Sequence, residues 1–290
     1  MVARTLTIAC AVAATLAATS ARAETATASS ASPDPTAAWA LAAFGDAGSD
    51  GGSGGTSDKD SRKLGVTAQG QLGVVLARGN TDTTTANAKF EVTRTTTAHK
   101  DDFEIEGLYG KSSSVVTAER WATTLQRDWN LTNRLFWFAN AHYEEDLFSG
   151  FAYQATLATG VGYRFIDTGS TKLDAQIGAG YRRLRPEQLI EDASGQVTGR
   201  IEGPPQNGAV GSGKLDFEHS FNTQTKVTDT LTAIPGSANT YVENDLAFNV
   251  KINGSLSLAL GYTIRNNSNP PGGLKHTDTL TTVNLVYTKR

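Results

Sequence analysis

The sequence predicts an all-β protein, a transmembrane antiparallel up-and-down β-barrel of about twelve strands, on three observations. From Gly65 onward, apolar and polar residues alternate with a period of two, which is typical of strands with two unlike faces. The alternating segments are about ten to fourteen residues long, near the ~9–11 residues that cross an outer membrane at a tilt. Short turns and longer loops alternate between them, as they do at the two rims of such a barrel.

Twelve segments fit this pattern, and the last ones show it most clearly. In residues 255–265, Leu256, Leu258, Leu260 and Tyr262 occupy every second position, with Ser, Ala, Gly and Thr between them. We expect the leucine face to contact lipid and the sheet to close on itself, because an unpaired sheet edge finds no water in a membrane. The predicted strands are 66–76, 83–95, 102–111, 118–129, 134–147, 155–165, 172–182, 214–221, 226–234, 239–250, 255–265 and 277–288.

The connections sort by length in this numbering. Tight turns at 130–134, 167–171, 222–225 and 251–255 follow even-numbered strands. Longer connections at 148–154, 184–213 and 266–275 follow odd-numbered strands. This arrangement predicts a periplasmic rim of short turns that also carries both ends of the barrel.

The faces opposite the apolar ones carry both signs of charge. In a closed barrel these side chains point inward, where opposite charges can pair. The predicted pore-lining residues are Glu104, Glu106, Asp128, His142, Glu144, Arg164, Lys172, Asp174, Arg182, Lys214, Asp216 and Glu218. Aromatic residues near the strand ends are expected to form girdles at the membrane surfaces; they are Tyr109, Trp129, Trp137, Tyr143, Tyr163, Phe165, Tyr181, Tyr262 and Tyr287.

The N-terminus predicts export. Residues 1–23 combine Arg4, an apolar run and an Ala21-Arg22-Ala23 site, which indicates a signal peptide cleaved after Ala23. Residues 24–63 are rich in Ala, Ser, Thr, Gly and Pro, so a disordered periplasmic tail is expected. Residues 64–290 then form the barrel domain, in the outer membrane of a Gram-negative bacterium.

Composition narrows the partners. The net charge of −3 argues against nucleic acid as a partner. The single cysteine, Cys10, lies in the signal peptide, so the mature chain offers neither a disulfide nor a thiolate metal site, and no cofactor is expected. The expected partners are outer-membrane lipids and lipopolysaccharide, together with the barrel-assembly machinery during insertion.

The sequence predicts no enzyme, but one catalytic alternative stays open. His142 and Glu144 share a face at a spacing of two, and a histidine beside a carboxylate can activate a nucleophile or water. A lipid- or lipopolysaccharide-modifying enzyme could be built on this pair. Asp146 with its neighbouring glutamates could hold a divalent cation, and Arg182, Arg183 and Arg185 could bind lipopolysaccharide phosphates.

Several stretches resemble the YdiY-like family of salt-induced outer-membrane proteins, a domain-of-unknown-function family of Gram-negative bacteria. The similarity covers nearly all of residues 65–287, and "GNTDTTTAN" with "KHTDTLTTVNLVY" is its most specific part. The resemblance implies an outer-membrane β-barrel and supplies no biochemical activity.

Three functions therefore remain. A non-enzymatic barrel, either structural or a narrow diffusion channel, is the first hypothesis because opposite charges are predicted inside and no catalytic motif appears. The alternatives are the enzyme based on His142 and a soluble periplasmic barrel that binds a small ligand.

Overall fold

The structure is a computed structural model that describes residues 64–77, 83–113, 115–193, 195–271 and 274–289. The predicted signal peptide, its cleavage after Ala23 and the low-complexity tail of residues 24–63 lie outside these residues.

Thirteen strands make up the described chain. They are β1 Gly65–Ala77, β2 Thr83–Thr95, β3 His99–Ser112, β4 Val115–Asn130, β5 Leu135–Asp146, β6 Phe151–Asp167, β7 Thr171–Glu191, β8 Val197–Glu202, β9 Gln206–Ser220, β10 Thr225–Ile234, β11 Tyr241–Lys251, β12 Leu256–Asn267 and β13 Thr277–Lys289. No helix in the described ranges is long and apolar enough to cross a membrane.

Twelve of the strands close into one antiparallel barrel. Each pairs with its neighbour in the chain, except that β7 pairs with β9, and β1 closes the ring against β13, with Leu72 opposite Leu285. The predicted fold class is thereby confirmed. The short-turn rim carries the connections 96–98, 131–134, 168–170, 221–224 and 252–255. The long-loop rim lies at the other end.

The prediction of a loop at 184–213 is wrong in detail. β7 continues to Glu191 and pairs there with β8 in a hairpin, in which Glu187 lies opposite Glu202. This hairpin extends past the strands of the barrel, so it needs no lipid-facing apolar side, and the period-two signal is absent from its sequence. The connection between β3 and β4 is also shorter than an alternation of loop lengths implies, because only residues 113 and 114 separate the two strands.

The apolar faces point outward, as predicted. Ile177 is 70% exposed and Leu260 51%, whereas inward-facing Thr263 and Asn284 are each 1% exposed. The outward belt therefore consists of large aliphatic and aromatic side chains, and the interior is mostly polar. All but one of the predicted girdle aromatics are among the exposed large side chains; Tyr143 is half-buried against Trp121.

Two inward-facing rings explain the glycines of β6 and β7. Phe136 and Phe138 are buried inside the barrel, 1% and 2% exposed. A Cβ atom on Gly162 would lie 2.1 Å from Cζ of Phe136, and one on Gly178 would lie 3.0 Å from Cζ of Phe138. The glycines leave the space that these rings occupy along the wall.

Candidate functional site

The interior of the barrel encloses a cavity of about 480 Å³. Every predicted pore-lining residue except Arg182 lines it. The lining also includes charged residues that the sequence analysis did not single out; they are Lys89, Glu91, Lys100, Asp102, Arg120, Asp167, Glu243, Asp245 and Arg265.

The end of the cavity near the short turns is lined by paired charges of both signs. Glu218 accepts from Lys226 at 3.1 Å and lies 3.4 Å from Lys172. Lys214 contacts Asp216 at 3.0 Å, and Lys100 contacts Asp102 at 3.0 Å. Because each cation faces a carboxylate, this part of the lumen has little net charge.

A denser group of charges lies deeper, and we call Glu106, Arg120, Glu144, Glu243 and Arg265 the charge band. Its members lie seven to ten residues from the strand ends at the short-turn rim: Glu106 comes seven after His99, and Arg120 ten before Asn130. The band is thus set in the half of the barrel away from the short turns.

Arg120 of β4 is the centre of the band. Its Nη2 donates to Oε2 of Glu144 at 2.7 Å, its Nε donates to the same oxygen at 3.2 Å, and its Nη1 pairs with Glu106. The Arg120 side chain is only 3% exposed. A cation that is so deeply buried requires such partners. Removing a charge from water costs several kcal/mol, on the order of what its ion pairs and hydrogen bonds return.

Arg265 of β12 forms the other half of the band. It pairs with Glu243, whose carboxylate also accepts a hydrogen bond of 2.6 Å from the hydroxyl of Tyr241. In the barrel, β12 and β4 are five strands apart. Arg120 nevertheless interacts electrostatically with Glu243, and Arg265 with Glu144. The two halves of the band therefore lie at similar distances from the short-turn rim and influence each other electrostatically.

The sequence contained a signal for these missed residues. Arg120 lies on the same face of β4 as Ala118 and Ala122, and Arg265 lies on the Ser, Ala, Gly and Thr face of β12. Parity alone would have placed both arginines inward. Nothing in the sequence indicated which carboxylates they would pair with.

The arrangement around His142 does not favour catalysis. Nδ1 of His142 lies 2.9 Å from the hydroxyl of Thr124, and its Nε2 lies 3.8 Å from Oε2 of Glu144. That same oxygen already accepts two hydrogen bonds from Arg120, so Glu144 is committed to the guanidinium. Within the described ranges, no cluster of three or more His, Cys, Asp or Glu is placed to hold a metal ion.

The three arginines considered for phosphate binding are not brought together. Arg182 is buried and binds Gln154 and the carbonyl of Asn239. Arg185 pairs with Glu202 at 2.7 Å, and Arg183 is exposed on the outer face.

A closed ring of twelve antiparallel strands with an apolar outside and a charged inside is the architecture of transmembrane β-barrel proteins. The family model described as "Protein of unknown function, DUF481" matches residues 70–288. The chain belongs to this family, which confirms the resemblance found in the sequence.

Comparison with known proteins gives one similarity in sequence and several in structure. The chain is 25% identical over 218 residues to "Uncharacterized protein YdiY" of Escherichia coli (strain K12), covering 74% of this chain and 80% of that protein. Among solved structures, it is similar to the translocator domain of autotransporter NalP from Neisseria meningitidis. The TM-score is 0.46 and the sequence identity is 10%, and the match covers 80% of this chain and 90% of that chain. It is also similar to the COG4313 outer membrane channel from Pseudomonas putida F1. The TM-score is 0.45 and the sequence identity is 10%, and the match covers 82% of this chain and 99% of that chain.

Proposed function

We propose that this protein is a non-enzymatic, integral outer-membrane β-barrel that acts as a narrow diffusion channel for small solutes. One observation carries the proposal: the cavity is lined by charges of both signs that pair between neighbouring strands along its wall. Rings of charged side chains are a common lining of ion pathways, whereas a barrel that is only structural can be filled by apolar side chains. In this proposal the charge band limits which solutes pass through the lumen.

Paired charges suit a weakly selective pore. Since Arg120 and Arg265 face three carboxylates of the band, neither sign of ion meets a strong electrostatic barrier. The competing version of the proposal is a purely structural barrel in which the band seals the lumen. Conductance separates the two versions.

The location is testable first. We expect the chain to be exported by the predicted signal peptide, cleaved after Ala23, inserted by the barrel-assembly machinery, and surrounded by outer-membrane lipid and lipopolysaccharide. Fractionated cells should contain it in the outer membrane, and its gel mobility should change on boiling because folded barrels resist detergent. Recovery in the soluble periplasmic fraction, with no change of mobility on boiling, would support the ligand-binding alternative.

Conductance is the test of the channel. In planar bilayers, wild-type protein should show small single-channel conductance. The double variant Glu243→Ser, Arg265→Ser removes one ion pair of the band without changing net charge, so it should raise the conductance severalfold. The matched control is Asp101→Ser, Arg127→Ser, which removes an outward-facing ion pair and should leave the conductance unchanged. Absence of conductance in both the wild type and the double variant would leave only the structural barrel.

A further inference from the structure

The outer wall of the barrel carries an apolar groove that the channel does not use. It has a volume of about 760 Å³ and crosses strands β2 to β7. Its floor consists of small outward-facing residues, Ala139, Ala141, Thr159 and Ala179, and larger side chains border it; these are Phe103, Leu125 and Leu157. The depression therefore follows directly from side-chain size on neighbouring strands.

The floor of the groove is apolar even at its one hydroxyl. The Thr159 hydroxyl donates to the carbonyl of Phe138 at 2.7 Å and accepts a hydrogen bond of 2.8 Å from Nε1 of Trp137. With this group satisfied, the groove presents hydrocarbon to its surroundings.

One end of the groove is charged. Arg94, Asp101 and Arg127 lie opposite one another on β2, β3 and β4 and belong to its lining. Arg127 pairs with Asp101 through Nε, and its guanidinium, 49% exposed, lies 5.9 Å from the ring centroid of Trp129. Arg94 is exposed, and its side chain makes no hydrogen bond within the described part of the chain. Two guanidinium groups against one carboxylate leave a net positive charge.

The groove runs from the short-turn rim of the barrel toward the middle of the membrane. Arg94 is the penultimate residue of β2, and Arg127 lies three residues before the end of β4, so the charged end is at the short-turn rim. The paired row Arg127, Ala139, Thr159 and Ala179 then leads inward, and Ala179 is eight residues from the start of β7. The groove therefore joins the headgroup level of one leaflet to the hydrocarbon interior.

We infer that this groove binds an anionic phospholipid of the periplasmic leaflet. The lipid phosphate contacts Arg94 and Arg127, and one acyl chain lies over the alanine floor. Guanidinium groups recognise phosphate through paired hydrogen bonds, and basic sites at a membrane surface attract anionic headgroups. This lipid site goes beyond the proposed channel and depends only on the barrel being inserted with its short-turn rim toward the periplasm.

The tryptophans beside the groove report on it. Mature protein carrying Trp39→Phe and Trp121→Phe keeps Trp129 and Trp137, and it is folded into phosphatidylcholine vesicles that contain increasing amounts of brominated phosphatidylglycerol. Quenching should show that phosphatidylglycerol binds roughly fivefold more tightly than brominated phosphatidylcholine. In the double variant Arg94→Gln, Arg127→Gln, the two lipids should quench equally.

Two matched controls separate a defined site from general attraction. Arg183→Gln removes an exposed, outward arginine that lies twelve residues from the short-turn end of β7, away from the charged end of the groove, and should keep the preference. Ala179→Phe fills the floor and should weaken quenching, whereas Ala88→Phe, on the outward face of β2 outside the groove, should not. Equal quenching by both lipids in the wild type, or a preference that survives the double variant, would overturn the inference. Loss of the preference in Arg183→Gln would overturn it as well, since it would indicate diffuse electrostatics.

Discussion

Replacing Arg120 with alanine is expected to lower the free energy of unfolding by about 3–5 kcal/mol, because it leaves buried carboxylates without their cation. Glu106 and Glu144 are both buried, and Arg120 supplies the donors that hold them. The loss should appear as a lower urea concentration at the midpoint of unfolding in detergent or vesicles.

Two comparisons identify the cause of that loss. Arg127→Ala removes an arginine of the same strand that pairs with Asp101 on the exposed outer face, and it should change stability little. The triple variant Glu106→Gln, Arg120→Ala, Glu144→Gln removes the unpaired charges and should recover part of the stability. If Arg120→Ala and Arg127→Ala destabilise the barrel equally, the charge band is not a buried ion network.

Replacing Gly160 with valine is expected to block closure between β6 and β7. An added Cβ would lie 2.2 Å from the carbonyl oxygen of Ile177 and 2.5 Å from Cα of Gly178, and backbone atoms cannot move aside as a flexible side chain does. Overpacking of this kind typically costs about 1–3 kcal/mol, and a clash with backbone belongs at the upper end or beyond. Since β6–β7 is one of the long pairings of the ring, a failure there should prevent assembly of the whole barrel.

Gly70→Val is the matched control for this prediction. Gly70 is also a strand glycine, but nothing lies within 4 Å of the position where its Cβ would be. We expect the gel-mobility shift to be lost in Gly160→Val and kept in Gly70→Val. A normal shift in Gly160→Val would show that the two strands can separate enough to admit a side chain.

The lengths and faces of the strands were predictable because lipid imposes them. The prediction for β2, residues 83–95, has the same ends as the observed strand, and the alternation in residues 255–265 placed Leu260 outside and Thr263 inside. The hairpin of β7 and β8 was missed for the same reason, because strands beyond the membrane need no apolar face and leave no period-two pattern. The signal peptide and tail remain predictions.

The interior was predictable only in outline. Inward charges such as Glu144 could be assigned from the alternation of residues along each strand. That these residues line a conducting pore remains a proposal. Glu144 pairs with Arg120, which comes from a neighbouring strand. The electrostatic interaction of Arg120 with Glu243 depends on how the ring closes. Arg182 shows the same limit, since parity placed it inward but did not indicate that it would bind Gln154 and the carbonyl of Asn239.

By itself, the sequence determined the strand segments of the barrel, their two faces and the rim of short turns, because each is a local pattern with a physical cause in the membrane. It did not determine the hairpin of β7 and β8 or the short connection between β3 and β4. Only the tertiary structure decided which charges pair and how the phenylalanines fit against Gly162 and Gly178. Those features depend on register and ring closure, which bring together residues that are distant along the chain and carry no mark of one another in it.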